Sequence, residues 1–336
     1  MDLLRITEDF IQFENDNLYT DSIPIYEKRT IYINVEEFSF PRSLFCNLIF
    51  FDCSFGNNQF LPILYKRLVY LNCSSNNLKE INLHDLPESL KILDCSGNNL
   101  KTLYKLPENL KYLDCSQNYL ENLPELPDHL FYLDCSKNNL ENLTELPESL
   151  EILNCSQNFV ENLTELPGKL QYLNCSQNYL EKLYKFPENL EYLDFSGNNL
   201  KTLPELPKNL KQLICSFNKL ETLPELPVHL FYLDCSKNYL ENLPKLQENL
   251  EELHCSFNNL ETLHELPVKL QYLDCSGNNL KTLPELQYLG YLDCSQNYLE
   301  KLPDLPEHLF YLSSYHNNLE TLPELQEDLR YLHCIY

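Results

Sequence analysis

The sequence lacks most of what would mark a membrane protein, a nucleic-acid binder or an enzyme. No stretch approaches the 18 consecutive apolar residues that a membrane span needs. The opening residues, MDLLRITEDFIQFEND, have no basic segment, no uninterrupted apolar run and no small-residue cleavage site. They do not form a signal peptide, which predicts a cytoplasmic chain, with a host cell's cytoplasm as one such compartment. Positive charge is scarce: 25 Lys and Arg face 50 Asp and Glu, a formal net charge of −25. That sign repels phosphate backbones and anionic bilayers, so it argues against nucleic acid and membrane surfaces as partners. It favours a protein with a basic surface or segment. Glycine is limited to six residues, and there is no P-loop, Gly-rich dinucleotide motif, C-x-x-C or H-E-x-x-H. The eight histidines are scattered and none has a nucleophile partner by motif. No catalytic residue, metal site or cofactor is assigned, and the chain is expected to be non-enzymatic.

Cysteine, by contrast, is abundant, at fourteen residues. Disulfides are the first thought for a secreted chain. The spacing points elsewhere, because Cys95, Cys115, Cys135, Cys155 and Cys175 recur once per twenty residues, and Cys215, Cys235, Cys255 and Cys275 continue the row. They hold the register of a small core apolar residue, which fits reduced, inert thiols.

The whole repeat is visible in residues 110–129, LKYLDCSQNYLENLPELPDH, with the frame L-x-x-L-x-C-S-x-N-x-L-x-x-L-P-x-L-P-x-x. It runs without change of period from Leu90 to Leu270. The unit from Cys73 to Cys95 has 22 residues and the one from Cys275 to Cys294 has 19. Both changes fall in the Pro-containing return, where length is most tolerant. Within each unit the alternation at Leu113, Asp114 and Cys115 is the period of a strand. Asn118 and its equivalents from Asn76 to Asn317 can bond the backbone of their own turn and of the next coil, which predicts a buried asparagine ladder. Prolines such as Pro124 and Pro127 disfavour helix in the return. A single unit cannot bury its own apolar face, so units must stack.

The expected fold is therefore a repeat solenoid, a curved horseshoe or superhelix. A parallel β-sheet lines its concave face, the convex returns are extended or polyproline-like, and there is little helix. Cysteine-register positions from 53 to 334, with Phe195 and Ser314 as the two substitutions, predict fifteen strands. At about 4.8 Å per strand these span roughly 65–70 Å. The array is assigned to 48–336 and an N-terminal cap to 1–47, with an amphipathic helix over Asp2–Phe13 and a strand within Thr30–Val35. The last strand, up to Tyr336, shows no evident cap, which predicts end-to-end self-association.

The frame resembles the short, LPX-type leucine-rich repeats of bacterial secreted effectors of the Yersinia and Shigella kind, on the match from Leu110 to Pro127. The resemblance covers about 85% of the chain by sequence frame alone. Cysteine at the sixth position and the many Asn, Tyr and Ile residues also resemble repeat proteins of large DNA viruses and protists. Some of those effectors carry a C-terminal ubiquitin-ligase domain; here the repeats run to the last residue of the sequence, so the resemblance implies no such activity.

Two columns of the strands are expected to line the concave face. Tyr112, Tyr132, Tyr172, Tyr192, Tyr232, Tyr272 and Tyr291 form one, and Asp94, Asp114, Asp134, Asp194, Asp234, Asp274 and Asp293 the other. Stacked tyrosines on neighbouring strands and solubilising aspartates would give the same pattern without any ligand. Yet carboxylates about 5 Å apart repel by roughly 0.8 kcal/mol per pair even in water, a cost that favours a use. The favoured function is a protein-interaction scaffold that grips a basic partner with these columns. Two alternatives are an adaptor recruiting an external enzyme, such as a ubiquitin ligase, through residues 1–47, and a purely structural, self-associating solenoid.

Overall fold

The computed structural model describes residues 31–32, 49–61, 64, 66–81, 86–143, 145–163 and 165–334. Sixteen strands form one parallel sheet in strict chain order. They are β1 (Ile31–Tyr32), β2 (Phe50–Asp52), β3 (Tyr70–Asn72), β4 (Ile92–Asp94), β5 (Tyr112–Asp114), β6 (Tyr132–Asp134), β7 (Ile152–Asn154) and β8 (Tyr172–Asn174). β9 (Tyr192–Asp194), β10 (Gln212–Ile214), β11 (Tyr232–Asp234), β12 (Glu252–His254), β13 (Tyr272–Asp274), β14 (Tyr291–Asp293), β15 (Tyr311–Ser313) and β16 (Tyr331–His333) complete it. The fifteen strands expected from the cysteine register are β2–β16. β1 lies within the Thr30–Val35 segment and pairs in parallel with Phe51 and Asp52, so the sheet starts ahead of the repeats. The Asp2–Phe13 segment lies outside the described residues. Among the described residues there is no helix, and none that could cross a membrane.

Register follows the repeat. Tyr112 faces Tyr132, Leu113 faces Leu133 and Asp114 faces Asp134. Each strand is only three residues long, yet the ladder continues past it: the Cys115 amide donates to the Asp134 carbonyl at 2.8 Å and the Gln117 amide to the Ser136 carbonyl at 2.8 Å. The residue after the serine then turns the chain off the sheet through a left-handed conformation. Gln117 (φ 55°), Gln157 (φ 56°) and Phe217 (φ 54°) take it, as do Gly97, Gly197 and Gly277.

The core is a stack of identical layers. Leu110, Leu113, Cys115, Leu120, Leu123 and Leu126 of one unit are buried, and their equivalents form one continuous cluster along the array. Phe195 replaces cysteine in one layer, and its ring lies 6.5 Å from that of Phe186, which replaces leucine. Two enlarged residues thus share one neighbourhood. The asparagine ladder is present as expected. The Asn158 amide nitrogen donates to the carbonyls of Cys135 (3.0 Å) and Cys155 (3.1 Å), one in each coil. Its oxygen accepts from the Leu140 amide at 3.0 Å. The ladder reaches one coil earlier than the sequence frame implied, because Asn58 is buried and donates to Asn76 Oδ1 at 2.9 Å. Gly56 permits this: a Cβ there would stand 2.6 Å from the Asn58 amide nitrogen.

Candidate functional site

The inner face of the sheet carries the first and third residue of every strand. The middle leucine points into the core, which leaves the tyrosine and aspartate columns on the other side. No lysine or arginine occurs in any of the repeat strands.

The tyrosines form stacks rather than separate contacts. Tyr112 and Tyr132 are parallel at 4.0 Å, Tyr172 and Tyr192 at 4.3 Å, Tyr272 and Tyr291 at 4.0 Å, and Tyr291 and Tyr311 at 4.2 Å. The stacking consumes ring faces. Tyr132 is only 1% exposed and Tyr112 is also buried, both in a small apolar cluster with Ile92. Tyr172, Tyr192, Tyr232, Tyr272 and Tyr291 are half-buried and still offer an edge and a hydroxyl. Burial, with aspartates close by, raises the Tyr232 hydroxyl to about 12, so the column is neutral at ordinary pH.

The aspartates have a local task that the sequence pattern did not disclose. Asp94 Oδ1 accepts from the Ser96 amide at 3.0 Å and the Ser96 hydroxyl at 2.7 Å, closing the turn that follows the strand. Asp194, Asp234, Asp274 and Asp293 do the same with their serines. Asp114 and Asp134 accept from the amides of Ser116 and Ser136. Asn72, Asn154 and Asn174 stand in the same column and accept the same bonds. The turn therefore needs an acceptor oxygen and not a charge. Asn154 also donates to Asp134 Oδ2 at 2.9 Å, which eases the end of the Asp94–Asp114–Asp134 run. Within that run, burial, followed by the like charges of Asp134 and Asp94, pushes the Asp114 carboxyl up to about 7. Burial likewise raises Asp94 and Asp194.

The seven tyrosines and seven aspartates thus share one face, but unequally: Tyr112, Tyr132, Asp134 and Asp194 are buried. A second recurring row of accessible aromatics lies off the strands. Tyr119, Tyr179, Tyr239 and Tyr298, one residue past the ladder asparagine, are about half exposed. Beside them Lys237 sits 4.0 Å over the Phe217 ring. Their recurring position in the S-x-N-x-L segment was the signal available in the sequence. Among the described residues no group of His, Cys, Asp and Glu is arranged to hold a metal. The thiols from Cys53 to Cys294 are buried, and burial raises them well above the usual range, as at Cys115 and Cys175.

A parallel one-strand-per-coil sheet with extended returns, an asparagine ladder and a leucine core defines a leucine-rich-repeat solenoid. The chain belongs to the leucine-rich-repeat family. The Leucine Rich Repeat family profile matches residues 189–210 and 269–289. YopM from Yersinia enterocolitica WA-314 is 37% identical, with 85% of this chain and 74% of that one covered and a TM-score of 0.74. YopM from Yersinia pestis, described as a leucine-rich effector protein, is 34% identical over 85% and 83% of the two chains, with a TM-score of 0.80. A domain of InlJ from Listeria monocytogenes, described as including a cysteine ladder, is 26% identical over 76% of this chain and 60% of that one, with a TM-score of 0.64. No curated protein sequence matches. The chain thus resembles bacterial leucine-rich-repeat effectors, and proteins of this repeat type are generally protein-interaction scaffolds.

Proposed function

We propose that this chain is a non-enzymatic scaffold that captures a basic segment of a partner protein along the inner face of its sheet, in a cytoplasm, a host cell's included. One observation carries the reading: eight of the fifteen repeat strands end in an aspartate, in one column, and none of the fifteen contains a lysine or arginine. Half-buried tyrosines alongside supply rigid apolar area and hydroxyls, and the carboxylates suit arginine and lysine. A polyanion is a poor partner for a chain of net charge −25.

The asparagines native to the column provide the test. Asp234→Asn with Asp274→Asn keeps the turn acceptors and removes charge alone. Capture of a basic peptide, measured by fluorescence anisotropy, should weaken at least about tenfold, as expected for the loss of two charge-assisted contacts. Binding that is unchanged by these substitutions and by salt sinks the proposal.

We place the N-terminal cap in residues 1–47 and the array in 48–336, a division supported by β1 extending the sheet ahead of β2. A second reading, association of two copies through β16, is favoured by the exposure of Leu332, at 42%, where Leu292 and Leu312 have none. Sedimentation of the chain against a Leu332→Asp variant over a concentration series tests it; identical monomeric profiles would rule it out.

A further inference from the structure

We propose that the one shortened repeat builds a receptor for an arginine side chain of the partner, at the edge of the inner face between β12 and β15. The idea rests on the scaffold reading above and specifies a position and a chemistry for it.

The unit from Cys275 to Cys294 is one residue short. The missing residue comes from the corner at Gln287–Tyr288, just before the strand. In the column that enters each strand, the unit carries Gly290 where its neighbours carry Glu251, Gln271, Phe310 and Arg330. The backbone does not demand glycine there: Gly290 is absent from the left-handed positions, which are Gly97, Gly197 and Gly277. What it permits is close approach, because a Cβ would lie 2.9 Å from the edge of the Phe310 ring. Gly290 and Phe310 both line a cleft of about 710 Å³, within the usual range of ligand sites.

Its lining is aromatic and acidic. Tyr288 and Phe310 are exposed at 62% and 44%. Tyr272 and Tyr291 close the side toward the sheet, and Glu251 and Glu252 supply carboxylates. Lys269 and His308, at the rim, each reach a partner outside the cleft lining. Lys269 Nζ donates to Asn249 Oδ1 at 2.8 Å, and His308 Nδ1 sits 3.5 Å from Asp328. Glu251 has no ion pair among the described residues, and the Glu252 carboxylate lies 3.9 Å from His254 Nε2. The cleft therefore sets two carboxylates and a single lysine beside the exposed rings of Tyr288 and Phe310.

A planar guanidinium matches both features, because it stacks on rings while its N–H groups pair with carboxylates. A lysine ammonium carries the same charge but cannot stack in the same way. The discriminating prediction is a preference between two cations, which the general acidity of the face does not produce.

The experiment titrates the full chain with two labelled peptides of equal length and charge, one with arginine and the other with lysine at every basic position, and a neutral citrulline version. The arginine peptide should bind about tenfold more tightly than the lysine peptide, given the stacking energy. Gly290→Gln, which introduces the side chain that Gln171 and Gln271 carry in this column, and Glu252→Gln should each remove that preference. Tyr288→Ala, a surface change that leaves the backbone unperturbed, should do so as well. Equal affinity for the two peptides overturns the receptor, as does a preference that survives Gly290→Gln and Tyr288→Ala in chains with native circular dichroism. Equal affinities that both fall in the Asp234→Asn, Asp274→Asn chain would leave the scaffold reading standing without the receptor. Failure of both peptides to bind the unmodified chain overturns both.

Discussion

At the scale of single residues, most of the recurring polar positions have a structural duty. Asn158 ties the backbone of two coils together with one amide. Asn158→Ala leaves the buried Leu140 amide unpaired, at a cost on the order of 1–3 kcal/mol, and removes one of the two asparagine donors to each of the Cys135 and Cys155 carbonyls. We expect a loss of about 3 kcal/mol, seen as a lower urea midpoint in the coils around β7. Asp114 shows the opposite situation, a residue whose charge works against the fold. Its carboxyl rises from 3.8 to about 7 on folding, chiefly through burial. Folding takes up a proton here, so the associated stability is complete below the unfolded value and is lost as pH rises through the folded one. Asp114→Asn should therefore raise the melting temperature at pH 8 more than at pH 5, by calorimetry, because asparagine already fills this role at Asn154 and Asn174. Ser314 is a smaller fault. It occupies a cysteine position and its buried hydroxyl has no partner. Ser314→Cys should stabilise the chain by about 1–2 kcal/mol, the usual cost of a buried unsatisfied hydroxyl.

At the scale of the repeat element, the three-residue strand holds because its hydrogen bonding is continued by the turn that follows it. The turn's left-handed residue, the aspartate or asparagine acceptor and the ladder asparagine act within five positions of each other. The cysteine lies behind this turn, fully buried in coil after coil. We expect Ellman's reagent to leave Cys53 through Cys294 untouched in the native chain and to reach Cys334, which is less buried. Rapid native labelling of any thiol in the ladder would show that the turns open readily. The columns themselves were legible in the repeat frame, since a period of twenty fixes which positions align. The stacking of Tyr112 on Tyr132 was not, because how far a ring is covered depends on the spacing and twist of neighbouring strands.

At the scale of the molecule, every strand contacts only its neighbours in sequence. Stability is then a sum of local interfaces, and cooperativity falls off with distance along the array. A charge buried in one layer, Leu153→Asp, should raise hydrogen exchange in β6, β7 and β8 while β13 and β14 stay protected, as mass spectrometry can read. Uniform loss of protection would indicate a single cooperative unit. The charge of −25 is also a property of the whole chain. A charge of this size would speed the approach of any basic partner and make that approach salt-dependent.

The sequence by itself determined the period, the register, the two faces of the sheet, the helix-poor returns and the reduced thiol core, because each of these follows from residue spacing in a unit that can bury its leucines only against a copy of itself. The tertiary structure decided what spacing cannot express. It showed that the aspartates close their own turns, that Tyr132 is buried by its neighbours while Tyr172 and Tyr272 keep an accessible edge, and that β1 joins the sheet ahead of the repeats. It also placed Tyr288 and Gly290, in the one shortened unit, in the lining of a cleft that spans several coils. These depend on distances between coils, and such distances exist only once the units have stacked.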